Sequence, residues 1–168
     1  MRPLPVRVSS ACRLLAAAAA SVLLVAGGCR VGYPFRGPGY DADRGVVHPD
    51  AGSQVLVVVT RGDIKAASRE KFANHLRDVI ESMNQQSGLV GYSVRRELFG
   101  SRVWTMSVWV DRGSMTRFVR STAHHKAMAS GSIAAGSFMT AAAPVDASRI
   151  PLDWAEAERM LEGRADQE

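Results

Sequence analysis

The sequence predicts an α+β fold in which one antiparallel sheet of four strands carries two helices on one face. Residues 54–61 are a β-branched run bounded by turn residues, and apolar residues recur at helical spacing over 66–86. Two further apolar runs are separated only by Gly100-Ser101, which favours a two-residue hairpin turn. The order is therefore β-α-β-β-α-β, the ferredoxin-like pattern, with an added C-terminal helix.

Each element has its own signal. The run QVLVVVTR over 54–61 predicts a strand buried on both faces, and Gly88 is predicted to cap the helix over 66–86. The second and third strands are expected at 89–99 and 102–111. Ser114 is the expected N-cap of one continuous second helix over 115–129. A fourth strand over 138–145 is placed at a sheet edge because of Pro144, and Pro151 opens a short helix through Leu161.

The third strand predicts a covered open face. Its alternate residues form two sets without charge: Trp104, Met106, Val108 and Val110 on one face, and Val103, Thr105, Ser107 and Trp109 on the other. A half-solvated antiparallel sheet shows polar residues on its open face. We therefore expect a second sheet to cover that face, which predicts a homodimer.

The N-terminus predicts an exported protein. Arg2, Arg7 and Arg13 precede an apolar run over 14–26, which is too short for a transmembrane helix of about 20 residues. The sequence Ala26-Gly-Gly-Cys29 resembles the lipobox of bacterial lipoproteins. That resemblance implies cleavage before Cys29, lipid on its sulfur and anchoring of the domain outside the cytoplasm in the bacterial envelope. An ordinary signal peptide is the alternative.

Removal of the signal changes the function classes that remain. Cys12 leaves and Cys29 is consumed by lipid, which excludes thiol catalysis, disulfides and zinc–cysteine sites. Three of the 21 basic residues also leave, so the mature chain has 18 basic and 16 acidic residues. This small excess of positive charge does not predict nucleic acid binding. The predicted organisation is a signal peptide over 1–28, a lipidated N-terminus and flexible tether over 29–53, the ferredoxin-like domain over 54–163 and a disordered tail over 164–168.

Several stretches resemble the antibiotic-biosynthesis-monooxygenase-like proteins of the dimeric α/β-barrel superfamily, in particular an uncharacterised branch similar to spheroidene monooxygenase. They are Gly88 to Val94, Trp104 to Trp109, Phe118 to Ser121, His124 to Met128 and Ile150 to Glu156. The resemblance implies homodimers whose sheets form a barrel, with a cavity between helices and sheet. It also implies that some members oxidise polycyclic phenols without metal or flavin, and that others bind haem through a histidine of the second helix.

The candidate site residues follow from the second helix and third strand. In a continuous helix His125 shares a face with Phe118 and points inward, while the adjacent His124 lies nearer solvent, so the pair cannot bind one metal. His125 is the candidate general base or haem ligand; a structural half-buried histidine is the alternative. The expected ligand pocket contains Trp104, Trp109, Phe118, Met128 and His124, and strand register decides which tryptophan faces it.

Two function classes remain open. The first is an enzyme, a cofactor-independent monooxygenase or haem-handling protein acting on an apolar or aromatic ligand. The second is a non-catalytic dimeric lipoprotein that binds a ligand or serves as a scaffold. No glycine-rich phosphate loop, Gly-x-Ser-x-Gly elbow or His-Glu-x-x-His motif is present, and no metal site is predicted.

Overall fold

The computed structural model describes residues 29–165, so the predicted signal peptide lies outside the described residues. The strands are β1 Arg30–Gly32, β2 Tyr40–Asp41, β3 Gly45–Val46, β4 Gln54–Asp63, β5 Leu89–Glu97, β6 Arg102–Trp109 and β7 Met139–Asp146. The helices are α1 Arg69–Asn84, α2 Arg112–Val119, α3 Thr122–Ala129 and α4 Trp154–Ala165. No helix in this range is long and apolar enough to span a membrane.

The main sheet confirms the predicted fold class. Its order is β1-β5-β6-β4-β7, and the pairs formed within it are antiparallel. Without β1, this is the strand arrangement of a ferredoxin-like domain, in which the first and third strands lie at the centre. The β-branched run of β4 occupies a central position, and Val57 and Val59 are fully buried. β7, which contains Pro144, lies at the edge as predicted.

The two faces of the sheet have separate cores. On one face, Leu89, Trp109 and Phe118 pack with residues of α1 and α2. On the other face, a larger cluster that includes Trp104 and Val108 packs against α4. Because successive strand residues point to opposite faces, Trp104 and Trp109 lie in different cores.

The region predicted as a flexible tether is folded onto the domain. We call residues 30–53 the N-terminal segment. Its β1 pairs with β5, and further along β5 the backbone of Arg36 exchanges two hydrogen bonds with Tyr92, at 3.0 and 2.8 Å. Phe35 and Tyr40 meet edge to face at 4.9 Å and pack on the cluster around Trp104. The tether prediction is therefore wrong for this segment, because Phe35 and Tyr40 pack against the sheet and its backbone pairs with β5.

This packing removes the premise of the predicted dimer. The sheet face opposite α1–α3 is covered within one chain by the N-terminal segment and α4. Trp104 and Met106 on that face are 2% and 1% exposed. An uncovered apolar face was the reason to expect a second sheet, and within the described residues that face is already buried.

Five local predictions are also corrected. Residues 98–101 form a four-residue connection, since β5 ends at Glu97 and β6 begins at Arg102. The second helix is split at Arg120 and Ser121, and its N-cap is Asp111, whose Oδ1 accepts a hydrogen bond from Ser114 N at 2.6 Å. α4 begins at Trp154 rather than at Pro151. It continues to Ala165, so the tail that was predicted to be disordered begins inside a helix. Residues 166–168 lie outside the described residues.

Candidate functional site: a cavity between the sheet and three helices

A cavity of about 540 Å³ lies between the sheet and α1–α3. This volume falls in the range of ordinary small-molecule sites. The helices contribute mostly apolar side chains, because the stripe of α1 at positions 72, 76, 79, 80 and 83 faces the sheet. Three apolar residues that line the cavity remain partly exposed: Val119, Met128 and Phe138. The cavity is therefore an apolar chamber with an accessible rim.

The floor of the cavity is polar along one line across the sheet. Thr140, Thr60 and Thr105 occupy matching positions on β7, β4 and β6. The Oγ1 atoms of Thr60 and Thr105 lie 2.6 Å apart and share a hydrogen bond. These hydroxyls offer donors and acceptors beneath a ligand that is otherwise enclosed by apolar groups. The alternating pattern of β6 already placed Thr105 on one face of the sheet. Threonine is common in strands, however, and does not by itself indicate a site.

Three aromatic rings form one wall. The rings of Trp109 and Phe118 stack with centroids 5.2 Å apart, and the imidazole of His124 meets the Phe118 ring edge-on at 5.1 Å. The indole nitrogen of Trp109 donates to Ser107 Oγ at 3.1 Å, so its one polar atom is satisfied. Such a wall suits a flat aromatic ligand, because offset and edge-to-face arrangements of rings are favourable.

His124, and not His125, faces the cavity. α2 ends at Val119 and Ser121 caps α3, accepting a hydrogen bond from the backbone N of His124 at 3.3 Å. This break shifts the helical phase between Phe118 and the histidines. His124 becomes half-buried beside Phe118, whereas His125 is exposed and does not line the cavity. The prediction that His125 points inward is wrong because it assumed one continuous helix.

The environment of His124 favours a neutral imidazole. Burial lowers its pKa below the ordinary value of 6.5, and the neighbouring His125 lowers the pKa further. A hydrogen bond with the backbone of Val119 acts in the opposite direction but is the smaller effect. At neutral pH the ring is therefore available to accept a proton.

The lowered pKa of His124 predicts a pH-dependent stability. The unfolded chain gains a proton on this residue near pH 6.5, whereas the folded chain gains it only at lower pH. The free energy of unfolding should therefore fall as the pH decreases from about 7.5 to about 5.5. In His124→Gln that fall should be smaller, because the titrating group is gone, and urea unfolding at both pH values measures it. His125→Gln is the control and should keep most of the wild-type fall, because burial, the main cause of the lowered pKa, is unchanged; an equal fall in all three proteins would contradict the assignment.

A protein-family model matches the part of the chain that forms the aromatic wall of the cavity. Residues 55–130 match the model of the antibiotic biosynthesis monooxygenase family. This stretch of the chain is similar to that family. The match begins in β4 and ends just after α3, so it includes the wall formed by Trp109, Phe118 and His124. The N-terminal segment, β7 and α4 lie outside it.

Several solved structures are similar to this domain at low identity. A conserved protein from Methanosarcina mazei is 19% identical, with a TM-score of 0.50, and the alignment covers 54% of this chain and 92% of that one. A protein from Mycobacterium tuberculosis is 16% identical over 55% of this chain and 96% of that chain, with a TM-score of 0.49. A structure described as an antibiotic biosynthesis monooxygenase is 14% identical over 55% and 97%, with a TM-score of 0.47. None of the curated proteins searched matches the chain.

Four of the five residues predicted for the pocket line the cavity, and one does not. Trp109, Phe118, Met128 and His124 line the cavity. Trp104 does not, because it faces α4 on the opposite side of the sheet. His75, which was not among the predicted pocket residues, is half-buried and lines the cavity from α1. Its position one turn from Phe72 and Val79 was the available signal.

The described residues hold no cluster of three or more His, Cys, Asp or Glu side chains suited to a metal ion. An axial haem ligand would have to come from inside the cavity. His125 is exposed and therefore unsuited to that role, which leaves His124 and His75 as the histidines that line the cavity.

Proposed function

We propose that the domain binds a small aromatic molecule in this cavity and supports its oxygenation by dioxygen without metal or flavin. The observation that carries the proposal is a half-buried neutral imidazole, His124, at the wall of an apolar chamber of about 540 Å³. The match of residues 55–130 to the antibiotic biosynthesis monooxygenase family supports the choice of reaction. Fold alone does not establish an activity, so the proposal depends on the site.

In this reaction the protein supplies a base, an apolar chamber and hydroxyl groups that hold the substrate. His124 accepts the proton of a bound phenol, and the electron-rich phenolate ring then forms a carbon–oxygen bond with dioxygen. The resulting hydroperoxide loses water to give a quinone, so one phenol and one dioxygen become one quinone and one water. The apolar chamber favours this sequence because it excludes bulk water from the reactive intermediate. The threonine hydroxyls on the floor are placed to hold the oxygen substituents of the ring.

Oxygen uptake with hydroxylated naphthalenes tests the proposal. We expect His124→Gln to lower the rate by roughly 10²–10⁴, the usual contribution of a general base. His125→Gln is a matched control one residue away on the exposed side, and its rate should stay close to that of the wild type. Equal rates in the two variants would refute the role of His124.

A non-catalytic ligand-binding module is the second candidate. It is favoured by the surroundings of His124, since no carboxylate hydrogen-bonds its ring among the described residues. Quenching of tryptophan fluorescence by the same naphthalenes, without oxygen uptake, would support this candidate. Haem handling is a third possibility, and a haem titration of the same two variants tests it. A Soret shift that is lost only in His124→Gln would indicate haem handling.

We also propose that Cys29 is lipidated and that the domain is held in the bacterial envelope. The lipobox-like sequence before Cys29 supports this location, and the Cys29 side chain is exposed and free of any disulfide. The mass of the mature protein extracted from membranes tests the modification directly. An unmodified Cys29 would refute the anchor without affecting the cavity proposal.

A further inference from the structure

Cys29 is held against the domain rather than displaced from it. It immediately precedes β1, whose Arg30 pairs with Glu97 at the end of β5. The backbone N of Leu98 donates a hydrogen bond to the carbonyl oxygen of Cys29 at 2.7 Å. No flexible residues separate the proposed lipid attachment point from the loop over residues 98–101. A lipid on Cys29 would therefore bring this loop to the bilayer surface.

The surface around Cys29 is unusually apolar for this protein. Seven large hydrophobic side chains are exposed among the described residues. Three of them line the cavity, and the other four lie on β1, just after it, or on the 98–101 loop: Val31, Tyr33, Leu98 and Phe99. Phe99 is 88% exposed, the largest value in this set. Exposed aromatic and aliphatic residues at one place are typical of a contact surface, and Phe and Leu are suited to the acyl boundary of a bilayer.

The charges at this end of the sheet suit phospholipid headgroups. Asp63 and Glu97 form ion pairs with Arg102, at 3.5 and 4.0 Å. Arg96 is exposed on β5, and Arg69 is exposed with its guanidinium donating to the carbonyl oxygen of Gly100 at 2.9 Å. The acidic groups are thus neutralised in place, whereas two guanidiniums beside the loop remain available to phosphate groups.

We propose that the 98–101 loop docks into the headgroup region of the membrane that carries the Cys29 lipid, with Phe99 as the inserted side chain. The docking rests on the proposed lipidation. It fixes the orientation of the domain, because β5 then leads away from the bilayer from Glu97 toward Leu89. The paired residues Gly62 and Val103, which line the cavity, lie at the docked end of the sheet. That end of the cavity would then face the lipid phase, from which an apolar ligand can be drawn.

Site-specific labelling in the full, lipidated protein tests the docking. Cys12 leaves with the signal and Cys29 is blocked by lipid, so an introduced cysteine is the only free thiol. Phe99→Cys and the matched control Ser87→Cys each receive the same polarity-sensitive fluorophore. Ser87 is exposed just before β5, about 30 Å from the loop along the nine residues of the strand. The proteins are reconstituted into vesicles of phosphatidylethanolamine and phosphatidylglycerol that contain a headgroup nitroxide lipid.

We expect severalfold stronger nitroxide quenching at position 99 than at position 87. Hydrogen exchange of the unlabelled wild type gives a second readout, since amides 99–101 should exchange more slowly in vesicles than in detergent. Equal quenching at the two positions in a protein whose mass confirms the lipid would overturn the docking and leave the anchor intact. A mass without lipid would overturn both, while the cavity assays would remain valid.

Discussion

Replacing Trp109 with alanine is expected to lower the free energy of unfolding by roughly 3–5 kcal/mol and to weaken ligand binding. Trp109 is 0% exposed, stacks on Phe118 and lines the cavity. Its removal opens a void and also leaves Phe118 and His124 without support. Urea unfolding measures the stability, and titration with a hydroxylated naphthalene measures the binding. Loss of this indole should weaken that binding by at least about tenfold.

Trp104→Ala is the matched control, since Trp104 is equally buried on the same strand. Three guanidiniums lie over its ring, those of Arg30, Arg95 and Arg102, with distances to the ring centroid of 4.9, 4.9 and 5.8 Å. Its loss should cost a similar roughly 3–5 kcal/mol, because it removes the same volume and these cation–π contacts. It should leave the affinity for the naphthalene near that of the wild type. Equal losses of affinity in both variants would contradict the assignment of the two tryptophans to opposite faces.

The fold class was predictable because its main signals are local. The β-branched residues of β4 and the period-2 alternation of β6 follow from burial on a pleated surface. The apolar stripe of α1 likewise depends only on helical periodicity. Register decided which tryptophan faces the cavity, and the sequence left that choice open for a physical reason: a shift of one residue exchanges the two faces.

The phase of the two histidines could not be predicted from the sequence. Trp109, Phe118 and Met128 line the cavity together with His124, whereas His125, the expected base, is exposed. The difference comes from Ser121, which caps α3 and breaks the helix after Val119. Serine is compatible with a helix interior as well as a cap, so its presence did not reveal the break. The threonine pair on the floor was missed because it is brought together only by pairing of β4 with β6.

The prediction of a flexible N-terminal segment was wrong because glycine and proline occur both in flexible chains and in closely packed ones. A high content of both predicts flexibility, since such a chain buries little apolar surface. Here the glycines permit close approach of two backbones. A Cβ on Gly37 would lie 2.3 Å from Gly91 Cα and 2.5 Å from the carbonyl oxygen of Val90. A Cβ on Gly91 would in turn lie 2.6 Å from the Phe35 ring.

Gly37→Val should therefore detach the N-terminal segment from β5. Both nearest atoms are backbone, so the strand cannot yield by changing a rotamer, and the segment must move instead. We expect a loss of stability at or above the upper end of the roughly 1–3 kcal/mol typical of overpacking. Detachment would also expose the cluster around Trp104, so the variant should self-associate. Urea unfolding, analytical ultracentrifugation and limited proteolysis of residues 30–53 measure these three effects.

Gly52→Ala is the control within the same segment. The nearest atom to its added Cβ is 3.9 Å away, so the alanine fits without displacement. This variant should match the wild type in stability, in association state and in resistance to proteolysis. Equal stability and equal resistance to proteolysis in Gly37→Val and Gly52→Ala would contradict the close packing of the N-terminal segment on β5. Detachment in Gly37→Val without self-association would show instead that α4 alone is enough to protect that face, since α4 contacts both β4 and β7.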